Sequence, residues 1–192
     1  PTMDSVRYRH LLELLVTNSK HVMMSGPTGT GKTVNINSHL QTGFSDKYVP
    51  LCITFSAQTS ANQTQDLMDS KCEKRRKGVY GPTAGKKFIV FVDDINMPMV
   101  EEYGAQPPIE LLRQWFDAGG WYERKELVFR RIIDSIFVGA CGPPGGGRNS
   151  LTARFVRHVN VIGYTPLQDE SLELIFSTIL VHYLETQKYR AE

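Results

Sequence analysis

Gly26-Pro-Thr-Gly-Thr-Gly-Lys-Thr33 constrains this chain more than any other stretch. The run fits the spacing G-x-x-x-x-G-K-[ST] without a miss. His21-Val-Met-Met-Ser25 before it predicts a short buried strand, and Val34-Asn-Ile-Asn-Ser-His-Leu40 after it predicts a helix. A strand, a Gly-rich turn and a helix N-terminus together build an anion site. Backbone N–H groups converge there, and the helix dipole adds partial positive charge. Lys32 is placed to reach the β- and γ-phosphates of a nucleotide, and the Thr33 hydroxyl to hold Mg²⁺. The candidate nucleotide-binding residues are therefore Gly26, Pro27, Thr28, Gly29, Thr30, Gly31, Lys32, Thr33 and Val34.

The 192 residues suit one domain, with room for the start of a second. A net charge of +2 argues against nucleic acid as a partner, which would require a basic, aromatic-interleaved face. The one dense basic cluster, Lys71 to Lys77, reads as a solvated helix end. No apolar run reaches the length of a membrane span, so no membrane contact is expected. Cys52, Cys72 and Cys141 are sparse, odd in number and without C-x-x-C spacing. That usage suits reduced thiols in an intracellular compartment, with Cys52 and Cys141 buried in strands as small hydrophobes. The chain starts without Met and stops inside a helical pattern, which reads as a piece of something larger.

Residues 4–17 predict a helix with Asp4 as N-cap. Four further β-branched runs predict strands: Val49 to Phe55, Phe88 to Val92, Ser135 to Cys141 and His158 to Ile162. Helical patterns fall near 61–76 and 107–118, and Gly78 to Lys87 reads as a loop. Gly119-Gly120 predicts a turn, with Trp121-Tyr122 and Leu127-Val-Phe129 as arms of a hairpin. Residues 168–188 predict a last helix, with Leu172, Ile175, Phe176, Ile179, Leu180 and Leu184 on one stripe. Alternating strands and helices imply an α/β fold with a parallel sheet covered on both faces.

Phe88-Ile-Val-Phe-Val-Asp-Asp94 is an apolar strand that ends in two carboxylates. The mouth of an open α/β sheet is where ligands sit. Asp93 is placed to hold Mg²⁺ together with Thr33. Asp94 can polarise or orient an attacking water. It is one methylene shorter than the Glu common at such a position, so slow or conditional hydrolysis and ordinary turnover both stay open. Cys141-Gly-Pro-Pro-Gly-Gly-Gly-Arg-Asn149 ends the next strand. Gly142, where a phosphate-sensing side chain is expected, has none, so Asn149 or Arg148 could reach in from the loop. A plain flexible connection is the alternative. Arg154 lies on a short predicted helix before the last strand, placed to leave the domain and enter a neighbour's site.

The order of these features resembles the large domain of AAA+ proteins: P-loop, acidic strand end, Gly-rich sensor loop, then Arg154. Several long strings are similar to dynein heavy chains. They are Phe55 to Thr64, Asp93 to Pro98, Tyr103 to Trp115, Gly142 to Asn149 and Arg154 to His158. Across nearly the whole chain they resemble the third AAA+ module of axonemal dynein heavy chains.

That resemblance implies a P-loop NTPase three-layer sandwich with a central parallel five-stranded sheet. Residues 1–165 would form the large α/β domain, and 166–192 the start of a truncated helical lid. The resemblance also implies Mg²⁺ with ATP or ADP as cofactors, and a regulatory role in a ring of six modules belonging to a minus-end-directed microtubule motor. Arg154 would be the arginine finger for the preceding module. Asp94, Lys32 and Asn149, as possible sensor, would serve this chain's own site. Pro1 to Val6 would lie by the adenine. The implied partners are neighbouring AAA+ modules, with intermediate and light chains and microtubules reached through the full-length protein. The implied location is the cytoplasm, cytoskeleton and ciliary axoneme. Asp at 94 and Gly at 142 depart from the Glu and Asn of cytoplasmic relatives, which favours a nucleotide-holding or slowly cycling site. A nucleotide-holding module without significant turnover, or another kind of P-loop ATPase, are the alternatives. GTP is disfavoured because no [NT]-K-x-D motif is present.

Overall fold

Five successive apolar residues, Phe88 to Val92, can be buried only if both faces of their strand are covered. The computed structural model, which describes residues 1–186, shows how that is done. The first helix, α1 (Met3–Thr17), leads into β1 (Val22–Ser25). Then come α2 (Lys32–Thr42), β2 (Tyr48–Thr54), α3 (Ala61–Lys71), β3 (Glu73–Arg76) and β4 (Val79–Gly81). They are followed by β5 (Lys87–Asp93), α4 (Pro107–Ala118), β6 (Gly120–Tyr122), β7 (Phe129–Ile132) and β8 (Ser135–Cys141). A short α5 (Ala153–Val156), β9 (Asn160–Gly163) and α6 (Asp169–Thr186) complete the described chain.

Strands β2-β5-β8-β1-β9 form one five-stranded sheet, parallel throughout. Alternate residues of β5 feed different cores. Phe88, Val90 and Val92 pack with Met68 of α3 and Ile109, Leu112 and Trp115 of α4. Ile89 and Phe91 pack with Leu12 and Val16 of α1 and Ile36 and Leu40 of α2. The result is the expected three-layer α/β sandwich.

The residues between α3 and β8 depart from expectation. Helix α3 stops at Lys71, and the basic run continues as β3 rather than as a helix end. The expected loop after it contains β4. The hairpin from Gly120 is present, but its second arm begins at Phe129. These pieces join in a second sheet, β3-β4-β7-β6, with the parallel β4–β7 pair at its centre. Strands of three or four residues with charged side chains carry too little alternation to be read from sequence. Lys74, Arg75 and Arg76 on an edge strand suit the need to discourage further strand pairing. The second sheet is tied to α3 by Trp121, whose indole N–H donates to Asp69, while Arg130 pairs with the other oxygen of that carboxylate.

Three smaller expectations also change. Thr2, not Asp4, caps α1, accepting from the Ser5 amide, and Asp4 sits in the first turn, paired with Arg7. Cys52 is exposed, because β2 is an edge strand with an uncovered face, whereas Cys141 is buried as expected. Helix α6 runs from Asp169, and the expected end at 188 lies outside the described residues. Among the described residues α6 buries none of its side chains, and Phe176, Ile179, Leu180 and Leu184 of the predicted stripe are exposed. No described helix is long and apolar enough to cross a membrane.

Candidate functional site

The site lies where three parallel strands end together. Strand β8 lies between β1 and β5, so Ser25, Asp93 and Cys141 reach the same edge of the sheet. From Ser25 the chain turns through the P-loop into α2. Gly31, at φ 78°, is the N-cap of that helix, a left-handed conformation that a side chain would strain. The amide of Gly26 donates to the Cys141 carbonyl at 3.3 Å, which ties the loop to β8. Thr30 is buried and donates to the Pro27 carbonyl at 2.9 Å.

A cleft of about 250 Å³ opens above this edge. Thr28, Gly29, Gly31, Lys32, Thr33 and Val34 line one side. Asp93, Asp94, Cys141, Gly142 and Arg148 line the other. Gly26, Pro27 and Thr30 form the frame of the loop rather than the cleft surface. The Lys32 ammonium donates to the carbonyls of Gly26 and Pro27 at 2.8 and 2.6 Å and to the Thr30 hydroxyl at 3.3 Å. Burial pushes its pKa below the ordinary value; Arg148 adds to that effect, and Cys141, Asp93 and Asp94 oppose it.

The two carboxylates differ in their surroundings. Asp93 caps its own strand end, its Oδ1 accepting from the Asp94 amide at 3.0 Å. Asp94 adopts φ 50°, a left-handed conformation uncommon for a side-chain-bearing residue, and its Oδ1 accepts from Arg148 Nη2 at 3.1 Å. Strain of this kind collects at functional sites.

The donor set fits the groups that the motif implies. Thr33 and Asp93 border the cleft and could offer hard oxygen ligands, and Mg²⁺ commonly keeps several waters beyond one or two protein oxygens. Among the described residues no cluster of three or more His, Cys, Asp or Glu side chains offers a fuller metal cage. The Gly-rich turn leads directly into the N-terminus of α2, where free helix amides could hold an anion.

Two further candidate residues, Asn149 and Arg154, also stand outside the cleft. Asn149 turns its side-chain amide to the Pro98 carbonyl at 2.9 Å, so it braces the Gly-rich loop, and it is Arg148 that reaches in. Arg154 is exposed on α5, with no side-chain hydrogen bond or ion pair among the described residues. The N-terminal segment meets α6: Pro1 and Thr2 face Leu174, Ile175, Thr178 and Ile179 across a separate apolar hollow.

Sequence reasoning passed over Asn96. It is buried, and its Nδ2 donates to the carbonyls of Gly142 and Asn149 at 2.9 and 3.1 Å. The available signal was an amide two residues beyond the acidic pair, in an otherwise apolar stretch.

Comparison with known proteins follows the same lines. Residues 1–167 match the family described as P-loop containing dynein motor region. Dynein axonemal heavy chain 1 of Homo sapiens is 55% identical over 186 residues, covering 96% of this chain and 4% of its own length. Dynein axonemal heavy chain 12 of Rattus norvegicus is 48% identical over 196 residues, covering 100% of this chain and 6% of its own. Dynein axonemal heavy chain 3 of Homo sapiens is 51% identical over 180 residues, covering 94% and 4%. The chain thus spans a small part of the length of each of these relatives.

Proposed function

The chain belongs to the P-loop dynein motor-region family, and from that premise we propose that it is an ATP-binding regulatory module of an axonemal dynein heavy chain, the third of its AAA+ modules. The observation that supports a nucleotide site is the cleft bounded by the P-loop on one side and the Asp93–Asp94 strand end on the other. Through the longer protein, the module serves a microtubule motor of the ciliary axoneme, with adjoining AAA+ modules as its direct neighbours and intermediate and light chains as more distant ones. Residues 1–165 form the large domain, and the segment that opens at 166 begins the lid.

In this reading the P-loop amides and Lys32 hold the phosphates. Thr33 and Asp93 hold Mg²⁺, which when bound neutralises phosphate charge. Asp94 orients water. Its short side chain, left-handed backbone and pairing with Arg148 support slow or conditional hydrolysis. The same features support a second reading, a module that holds ADP without significant turnover. The exposed Arg154 acts outward, as an arginine finger toward the preceding module's site.

Isothermal titration with Mg-ATP and Mg-ADP tests the proposal. Micromolar binding that disappears in Lys32→Ala is the expected result. Equal binding by the variant would refute the nucleotide site.

A further inference from the structure

The Gly-rich loop after β8 is anchored at both ends to one buried side chain. Asn96 donates to the carbonyl of Gly142 at its start and of Asn149 at its end. The Asn149 amide donates back to the Asn96 carbonyl at 2.9 Å, and its side chain donates to Pro98. Between the anchors the chain reverses on a Gly145–Arg148 bridge. The side chain that this reversal returns to the cleft is Arg148.

Gly142 makes room for it. A Cβ on Gly142 would lie 2.8 Å from Arg148 Cδ and 2.9 Å from Nε, closer than real contacts allow. The missing side chain at 142 and the inward Arg148 are therefore one arrangement, with the guanidinium standing where a shorter side chain on 142 would otherwise project. That guanidinium borders Lys32, Thr33 and Asp94 in the same cleft. One nitrogen pairs with Asp94 at 3.1 Å, while Nε is buried without an acceptor among the described residues. An Arg fork has five N–H donors and fits phosphate in bidentate fashion.

We propose that Arg148 is a switch between two acceptors: it pairs with Asp94 when the cleft holds a nucleoside diphosphate, and moves to the terminal phosphate of a nucleoside triphosphate, releasing the Asp94 carboxylate. The inference rests on the nucleotide-site reading above. Both partners of the present ion pair are partly exposed, and such pairs are weak. A charge-assisted bond to a phosphate is stronger, and the loop's anchors, on the carbonyls of Gly142 and Asn149, do not involve the Arg148 side chain. The switch makes the chain distinguish triphosphate from diphosphate, and makes Asp94 available only when a terminal phosphate is present.

The test is titration of the chain with Mg-ADP and with the non-hydrolysable triphosphate Mg-AMPPNP. The variants are Arg148→Ala, Asp94→Asn and the double variant. Arg148→Ala is expected to weaken AMPPNP on the order of tenfold, the scale of one hydrogen bond to a charged group. Its ADP affinity should move by less than about twofold, the usual scatter between independent sites. Asp94→Asn should tighten AMPPNP when Arg148 is present and lose that gain when it is absent. Should the alanine chain fail to fold, Arg148→Gln keeps the stem and removes the charge, with the same expectation. Equal losses for both nucleotides, or an Asp94→Asn effect independent of Arg148, overturn the switch and leave the nucleotide site standing. A wild-type chain that binds neither nucleotide overturns both.

Discussion

Asn96 illustrates how one buried amide can set the shape of a site it does not touch. Its two donated hydrogen bonds satisfy the carbonyls of Gly142 and Asn149. Asn96→Ala leaves both carbonyls without that donor, at a cost of about 1–3 kcal/mol. Urea unfolding should show the loss, and triphosphate affinity should fall with it because Arg148 loses its fixed base. A variant as stable as the parent would show that the loop is anchored elsewhere. At Asp94 the question is reach. Asp94→Glu extends the carboxylate by one methylene, and single-turnover hydrolysis is expected to rise while Mg-ATP affinity stays within about twofold. Unchanged turnover would remove reach as the limit and favour the nucleotide-holding reading.

At the scale of elements, His21 couples β1 to its surroundings. Its Nδ1 accepts from the Phe137 amide at 3.0 Å, which requires that nitrogen to be unprotonated. Its ring stacks on Phe116 of α4, with centroids 4.5 Å apart. Burial, reinforced by His158, lowers its pKa from 6.5 to about 4. A histidine held neutral by the fold contributes full stability above its ordinary pKa, and that contribution is lost as pH falls toward the lowered one. The chain should therefore lose about 3 kcal/mol between pH 6.5 and 4 from this residue. Urea midpoints across that window should flatten in His21→Gln; an identical slope would assign the acid sensitivity to other groups. Asp69 couples α3 to the second sheet, accepting from Trp121 and Arg130. In Asp69→Ala the fully buried indole loses its acceptor, and unfolding should show a loss of about 2 kcal/mol. Stability unchanged in that variant would mean that Trp121 is held by packing alone.

For the whole molecule, the parallel sheet brings together segments far apart in sequence. Lys32, Asp94 and Arg148 meet at one edge because β1, β8 and β5 are neighbours there. Arg154 lies outside that cleft, on the exposed α5. From the proposed outward role, Arg154→Ala is expected to leave this chain's own ATP affinity within about twofold while slowing hydrolysis at the proposed preceding module's site in the longer protein. Weakened binding in the isolated chain would place Arg154 in its own site instead.

The P-loop and the acidic strand end were legible as a sequence because each is local. Eight consecutive residues specify the anion turn, and a two-sided apolar run specifies a strand that must end at solvent. The parallel five-stranded sheet followed from the alternation of such runs with helical patterns. The second sheet was not legible, since its strands are too short for periodicity and one carries the basic run that read as helix. The exposure of Cys52 also escaped, because an edge strand and a central strand share the same β-branched composition. Only tertiary structure decided which residue of the Gly-rich loop enters the cleft. Sequence allowed either of two adjacent residues to reach in and put Asn149 forward as the sensor, whereas Arg148 is the one turned inward, and the choice between them depends on where Asn96 holds the loop ends and on the space above Gly142. Local chemistry fixes what a segment can bind, but the direction in which a loop presents its side chains is set by contacts with residues that adjoin it only after folding.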